Sequence, residues 1–155
     1  VKLSKIGKNP SIPLKFCFGI VQLALGFLLT QVGFQFVNEA YQVPILTLVF
    51  LYMLHTTGEL FLSPIGLSMV TKLSPKSMAG TAMGAWFLSF AIANYVGGKI
   101  AALTGGHGGG EVSSAEDGLL QYLNTFATIG YVLLAIAALI FVLNKPIQKL
   151  MHGVE

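Results

Sequence analysis

Four long stretches of the chain carry almost no charge, and short polar segments separate most of them. The stretches cover residues 16–37, 43–71, 77–104 and 119–144. A helix of about 20 predominantly apolar residues is long enough to cross the hydrocarbon core of a bilayer. The strict alternation of apolar and polar residues that marks a membrane-spanning strand is absent from the sequence. The pattern therefore predicts an all-α membrane protein with four transmembrane helices.

The predicted connections are short with one exception. Residues 38–42 join the first two predicted helices, and residues 72–76 join the second and the third. Residues 105–118 are rich in glycine and polar side chains, which predicts a flexible outer loop. These glycines lack the GK[ST] sequence of a phosphate-binding loop and follow no predicted strand, so we do not expect nucleotide binding there.

Composition agrees with a chain that lies mostly in lipid. Of the 155 residues, 54% are hydrophobic and 10% are charged, whereas a soluble domain carries about 25% charged residues. This disfavours a soluble enzyme, a nucleic-acid-binding module and a disordered tail. The single cysteine, Cys17, allows no internal disulfide and no cysteine-based metal cluster. The chain begins at Val1 and shows no signal peptide, so we expect it to be a piece of a longer protein.

The lysines predict how the helices are oriented. If the helices alternate in direction, eight lysines fall on one side: Lys2, Lys5, Lys8, Lys15, Lys72, Lys76, Lys145 and Lys149. The other side carries the acids Glu39, Glu111, Glu116 and Asp117. Because cytoplasmic loops carry an excess of lysine and arginine, both termini are predicted to be cytoplasmic. Lys99, near the outer end of the third helix, is expected to reach the interface or to pair with the acidic loop.

One acid, Glu59, lies in the middle of the second predicted helix. At 100° per residue it shares a stripe with His55 and Ser63, and the opposite side of the helix is mainly apolar. A charge in this position is costly unless it faces a cavity or a polar partner. A carboxyl group there can exchange its proton against a bound ammonium group, which would serve as a coupling device in a proton-linked carrier. The alternative is a structural contact between helices, and His55 is interpreted as a hydrogen-bonded packing residue.

Pro64 and Gly66 follow in the same predicted helix. Proline removes the hydrogen bond to the carbonyl of Leu60 and crowds that turn, and glycine loosens the next turn. The sequence therefore predicts a bend beside Glu59. Bent helices next to a polar site recur in secondary transporters, so Pro64 and Gly66 are interpreted as a gating hinge, with a static kink as the alternative.

The third predicted helix is rich in small residues and carries the single tryptophan. Gly80 and Gly84 form a GxxxG pair, which permits close helix packing. Trp86 lies deep within the span rather than at its edge, so it is expected to form either the wall of a site or a core contact. The sequence contains no GxSxG or HExxH motif and no clustered metal ligands, so neither an enzyme nor a metal site is expected.

Residues 58–101 read GELFLSPIGLSMVTKLSPKSMAGTAMGAWFLSFAIANYVGGKIA. This stretch closely resembles the tenth and eleventh helices of proton-dependent oligopeptide transporters, a family of the major facilitator superfamily. The specific parts are the GE-x-x-LSP-x-G run, the basic turn K-x-S-P-x-x-x-x-G and the G-x-WFL…N-x-x-GG run. The resemblance is strong over residues 55–104 and looser in the two flanking helices. It implies that the chain forms the last four helices of a C-terminal six-helix bundle.

The resemblance also implies roles for individual residues. In this family the glutamate that matches Glu59 lines the central cavity and is implicated in binding the peptide amino terminus and in proton coupling. The residues that match Ser63 and Trp86 line the same cavity. The resemblance thus implies a proton-coupled di- or tripeptide symporter that works by alternating access. Its expected partners are peptides, protons, the bilayer and the remaining helices of the same transporter, with no cofactor and no nucleic acid, in the bacterial inner membrane.

Two alternatives stay open from the sequence. The chain could belong to a carrier of the same fold for nitrate or another small solute, or it could be a self-contained four-helix membrane subunit. In the second case Glu59 and Trp86 would be contacts between helices. The first-helix ExxER motif and the acid-bearing seventh helix of the family are absent from these residues, so the chain alone is not expected to transport peptides.

Overall fold

The computed structural model describes residues 10–104 and 114–151, and these residues form four α-helices. In chain order they are α1 (Ile12–Phe34), α2 (Ile45–Leu73), α3 (Ala79–Thr104) and α4 (Ala115–Leu150). No strand occurs in the residues that the structure describes. The predicted all-α class is therefore confirmed for this part of the chain.

The helices extend beyond several of the uncharged stretches. α1 begins at Ile12 rather than at residue 16, with Pro13 in its first turn, where a missing N–H costs nothing. α4 begins at Ala115 because the Ser114 side chain caps it, accepting a hydrogen bond from the N–H of Asp117 at 3.1 Å. The last four residues of the predicted loop 105–118 are thus helical, which corrects that boundary. Residues 105–113 lie outside the described residues.

Three of the helices are long and apolar enough to cross a membrane: α1, α2 and α4. α3 has 26 residues, enough for a bilayer at about 1.5 Å per residue, but its glycines and its polar side chains reduce its apolar character. Length and composition therefore support three of the four predicted spans. A membrane-spanning α3 stays a prediction.

α1 lies between α2 and α4, and three evenly spaced glycines bring it close to α2. A Cβ atom added to Gly19, Gly26 or Gly33 would collide with a side chain of α2, respectively Leu62, His55 and Thr47. The spacing of seven residues keeps these glycines on one face, and small residues allow helix backbones to approach closely in a membrane. The pairs run in opposite order along the two helices, so α1 and α2 are antiparallel.

α1 and α4 are also antiparallel, and polar bonds join them at both ends and in the middle. The Ser11 hydroxyl donates to Oδ1 of Asn144 at 2.9 Å, and Nε2 of Gln31 donates to the Leu123 carbonyl at 2.9 Å. Between them, the Cys17 thiol donates to the Ala137 carbonyl at 3.3 Å. Ala24 of α1 is fully buried in this interface. These contacts make α1 and α4 the most closely joined pair.

This arrangement gathers the described lysines at one end of the bundle. Five of them lie at the end where α1 begins and α2 and α4 finish: Lys15, Lys72, Lys76, Lys145 and Lys149. Among residues 10–104 and 114–151, the acids Glu39, Glu116 and Asp117 lie at the opposite end. Lys2, Lys5, Lys8 and Glu111 lie outside the described residues. The predicted segregation of charge is therefore present in the described part, whereas the side of the membrane on which each end lies stays a prediction.

α3 is the least embedded helix. Trp86 packs on Gly66 of α2, and large apolar side chains of α3 such as Phe87, Leu88 and Tyr95 are exposed. No described atom outside α3 lies within 4 Å of a Cβ added to Gly80 or Gly84. Nζ of Lys99 lies 5.6 Å from the centre of the Tyr95 ring on the same helix. Lys99 therefore makes a cation–π contact on its own helix, and its reaching the interface or pairing with the acidic loop stays a prediction.

Candidate functional site

A groove of about 620 Å³ lies between α1, α2 and α3. We call it the Glu59 groove, and its lining residues are Phe16, Ile20, Leu23, Phe27, His55, Glu59, Leu62, Ser63, Trp86, Phe90 and Ala93. Its three polar members all lie on α2, each four residues from the next. Residues four apart share one face of a helix, so α2 presents a polar stripe to walls that are otherwise apolar and aromatic.

Glu59 is central in this stripe and is exposed to the groove. Its carboxyl group makes no hydrogen bond and no ion pair within residues 10–104 and 114–151. An acid among apolar walls is seldom left in this state, because a charge without a partner in lipid is costly. Glu59 is therefore available to a proton or to a cation that enters the groove.

Ser63 lies one helical turn after Glu59 and is half-buried. Its hydroxyl has no hydrogen-bond partner within the described residues, whereas Thr57 and Thr71 of the same helix donate to carbonyls one turn earlier. The Ser63 hydroxyl can therefore donate to or accept from a ligand beside Glu59. The structure thus brings together two polar groups with unused hydrogen-bonding capacity.

Trp86 forms the α3 wall of the groove. Its indole packs where a Cβ atom on Gly66 of α2 would lie, so this close approach depends on glycine. The Phe90 ring meets the indole edge to face, with centroids 5.9 Å apart. Trp86, Glu59 and Ser63, which the sequence singles out separately, therefore line the same groove.

The two predicted hinge residues have different surroundings. Pro64 is exposed and lies inside α2, which continues as a helix on both sides of it. Gly66 is buried beneath the Trp86 indole, a contact that the sequence interpretation did not include. Gly66 therefore joins α2 to α3, and a role of either residue in gating stays a prediction.

His55 packs tightly between α1 and α2. Its ring lies against Gly26 and is 4.5 Å from the Phe27 ring, centroid to centroid. The buried Nε2 atom has no hydrogen-bond partner in the described residues. The interpretation of His55 as a packing residue agrees with this geometry, whereas a hydrogen bond of its ring stays a prediction.

The α1 wall of the groove was not expected from the sequence. Phe16, Ile20, Leu23 and Phe27 follow a spacing of four, three and four residues, which places them on one face of the helix. That spacing is the available signal, but α1 carries apolar residues on every side, so the sequence does not show which face meets a site. The described residues contain no cluster of three potential metal ligands.

Comparisons with known proteins agree with this arrangement. The profile of the POT family (PTR2) matches residues 2–109, which include α1, α2 and α3. The chain belongs to the POT family. The resemblance seen in residues 58–101 is thereby confirmed.

Curated relatives of this POT-family chain are bacterial permeases. It is 37% identical over 150 residues to dipeptide and tripeptide permease A of Edwardsiella piscicida, which covers 97% of this chain and 30% of the relative. It is 37% identical over 143 residues to permease A of Yersinia pestis, covering 92% of this chain and 28% of the relative. It is 35% identical over 147 residues to dipeptide and tripeptide permease B of Aliivibrio fischeri (strain MJ11), and the match covers 93% of this chain and 29% of the relative.

The chain therefore spans less than a third of the length of these relatives. The relatives are transport proteins, so the prediction that this POT-family chain is not an enzyme is confirmed. Together with the three apolar helices, the relatives also establish that it is a membrane protein.

Proposed function

We propose that the chain is the C-terminal portion of a proton-coupled symporter for di- and tripeptides. The observation that carries this proposal is Glu59, an acid without a partner among the described residues, in a groove with Ser63 and Trp86. The names of the relatives support peptides as the substrate class, since each is a dipeptide and tripeptide permease. A carrier of the same fold for nitrate or another small solute is the competing proposal.

The placement in the transporter follows from the resemblance. The four helices would be the last four of a C-terminal six-helix bundle in a major facilitator fold, with α3 as the fourth membrane span. The five clustered lysines support a cytoplasmic location for the end at which α1 begins and α4 finishes. The protein would then lie in the inner membrane of a bacterial cell, with both termini of this segment on the cytoplasmic side.

The groove suits the amino-terminal end of a short peptide. Its volume of about 620 Å³ falls within the range of about 300–1,000 Å³ that is typical of small-molecule sites. The Glu59 carboxylate can accept hydrogen bonds from an ammonium group, and the Ser63 hydroxyl lies within the same stripe. The Trp86 indole offers an aromatic face, which attracts a cation and packs against apolar side chains.

The same carboxyl group can couple peptide movement to protons. Protonated Glu59 binds an ammonium group weakly, and ionised Glu59 binds it strongly, so the protonation state of this carboxyl group sets the affinity for the peptide amino terminus. Alternating access would expose this position to each side of the membrane in turn, driven by the proton gradient without a cofactor. Bending of α2 near Pro64 and Gly66 would serve as the gate.

Uptake into proteoliposomes tests the substrate class. The protein expressed from its native gene should take up radiolabelled dialanine when an inward proton gradient is imposed, and unlabelled tripeptide should compete while nitrate should not. Trp86→Leu should raise the KM for dialanine, because it removes the aromatic wall. Phe87→Leu is the matched control, since Phe87 is exposed on the same helix and does not line the groove.

Competition by nitrate, without competition by peptides, would contradict the peptide proposal. If Trp86→Leu lowers thermal stability and leaves the KM unchanged, Trp86 is a contact between helices only. That result would favour the interpretation in which Glu59 and Trp86 serve assembly.

A further inference from the structure

A second groove, of about 390 Å³, lies between α1 and α4 and shares no residue with the Glu59 groove. We call it the α1–α4 groove, and its lining residues are Leu14, Cys17, Phe18, Val21, Leu134, Ala137, Ala138 and Phe141. Every one of these side chains is apolar or, in Cys17, a thiol that already donates to the Ala137 carbonyl. The groove therefore offers apolar contacts to a hydrocarbon chain and no free hydrogen-bonding side chain.

One end of this groove meets the lysine cluster. On α4, Leu134, Ala138 and Phe141 lie on one stripe of the helix, and Lys145 continues that stripe one turn beyond Phe141. Lys149 follows after another turn. Across the interface, Lys15 comes directly after Leu14, and the Ser11–Asn144 hydrogen bond of 2.9 Å holds these two helix ends together. The apolar α1–α4 groove thus ends beside a basic patch, which is formed by Lys15, Lys145 and Lys149.

The length of α4 places these lysines at the boundary of the lipid. Its 36 residues span roughly 54 Å at about 1.5 Å per residue, whereas the hydrocarbon core is about 30 Å thick. The turns that carry Lys145 and Lys149 can therefore lie among the lipid headgroups. Within residues 10–104 and 114–151 neither lysine makes an ion pair, and no acid lies at this end of the bundle.

We propose that the α1–α4 groove holds one acyl chain of an anionic phospholipid whose phosphate group is bound by Lys145, with Lys149 and Lys15 beside it. Charge complementarity selects this occupant, because an apolar helix in the same groove would leave the basic patch without a counter-charge. Lysine near a membrane surface attracts anionic lipid by electrostatics, and the groove adds a fixed position for the chain. The proposal does not depend on the transported substrate.

Lipid binding can be measured by native mass spectrometry of the protein expressed from its native gene and purified in a neutral detergent. The probes are phosphatidylglycerol and phosphatidylcholine with the same acyl chains. We expect Lys145→Gln to weaken phosphatidylglycerol binding about fivefold and to leave phosphatidylcholine binding unchanged. Lys99→Gln is the matched control, because it removes the same charge near the opposite end of the bundle and should change neither lipid.

A second variant tests the acyl-chain part of the site. Ala138 is exposed in the α1–α4 groove, so Ala138→Trp should fill this groove and weaken the binding of both lipids. A thermal melt identifies a variant that is misfolded, and the Lys145→Gln comparison stands without it. Equal losses in Lys145→Gln and Lys99→Gln, or no loss in Lys145→Gln, would overturn the proposal. Unchanged lipid binding in a folded Ala138→Trp protein would also overturn it, as would a second copy of the chain seated in the groove.

Discussion

The indole of Trp86 occupies the position that a Cβ atom on Gly66 would need. This contact joins α3, the least embedded helix, to α2, one turn beyond the polar groups of the Glu59 groove. It aligns Trp86 with Glu59 and Ser63, although Trp86 lies on a different helix. The aromatic wall of the groove is therefore positioned by a residue that has no side chain.

Gly66→Ala should destabilise the protein, because the new methyl group collides with the six-membered ring of the Trp86 indole. Overpacking of this kind costs about 1–3 kcal/mol, to be measured as a lower thermal unfolding midpoint in detergent. Trp86→Phe in the same protein should restore much of the loss, since it removes the colliding ring. Gly84→Ala is the control, because no described atom outside α3 lies within 4 Å of its added Cβ. A Gly66→Ala protein as stable as the wild type would refute the contact.

Ala24→Leu should weaken the α1–α4 pair. Ala24 is fully buried where these two helices meet, so a larger side chain must push them apart at a cost of about 1–3 kcal/mol. Ala135→Leu makes the same change on an exposed position of α4 and should leave the unfolding midpoint within a degree or so of the wild type. Equal midpoints for the two variants would mean that α1 and α4 do not pack as described.

Tyr41 should ionise at unusually high pH. Its hydroxyl donates a hydrogen bond to the Glu116 carboxylate at 3.0 Å, and this bond, together with the negative charge of Glu116, raises the pKa of Tyr41 above its ordinary value of 10.0. The bond needs the protonated phenol. Its contribution to stability is therefore fully present below pH 10.0 and is lost as the pH rises through the raised pKa.

Phenolate absorbance, with the Tyr41→Phe spectrum subtracted, measures this pKa. Glu116→Gln should bring the pKa of Tyr41 back toward 10.0, because it removes the charge and weakens the accepted hydrogen bond. Glu39→Gln removes a charge from the α1–α2 connection that carries Tyr41 and leaves the Tyr41–Glu116 hydrogen bond in place. It should therefore shift the pKa of Tyr41 less. Equal shifts in the two variants would argue against the Tyr41–Glu116 hydrogen bond.

Much of the site could be predicted because its polar residues stand out in an apolar background. Glu59 is the only acid inside an apolar stretch, and helical spacing places Ser63 on its face. The Trp86 position, far from either end of its stretch, indicated a wall or a core contact. The structure shows that the indole both lines the groove and packs on Gly66.

The parts that could not be predicted depend on which helices are neighbours. α1 carries apolar residues on all sides, so its sequence does not show that Phe16 and Phe27 line the Glu59 groove while Leu14 and Phe18 line the α1–α4 groove. Gly80 and Gly84 were predicted to pack closely from their spacing, yet they face open space among the described residues. The close contacts occur instead at the seven-residue series that begins with Gly19, where each partner comes from a different turn of α2.

Helix boundaries were displaced for a related reason. Runs without charge mark the part of a helix that tolerates lipid, whereas the helices extend further: α1 begins before Lys15, and α4 continues beyond Lys145. The start of a helix depends on the capping residue that satisfies its first backbone N–H groups. Ser114 therefore locates the start of α4 better than the hydropathy pattern does.

Substitution of Glu59 by glutamine tests the central claim most directly. Glu59→Gln keeps the shape of the side chain and removes its ability to exchange a proton. The protein expressed from its native gene is reconstituted in proteoliposomes. We predict that Glu59→Gln loses dialanine uptake driven by a proton gradient. Dialanine counterflow, measured without a gradient, should be less affected. Glu116→Gln, which removes a charge far from the groove, should retain both activities. Gradient-driven uptake by Glu59→Gln at the wild-type rate would contradict the account.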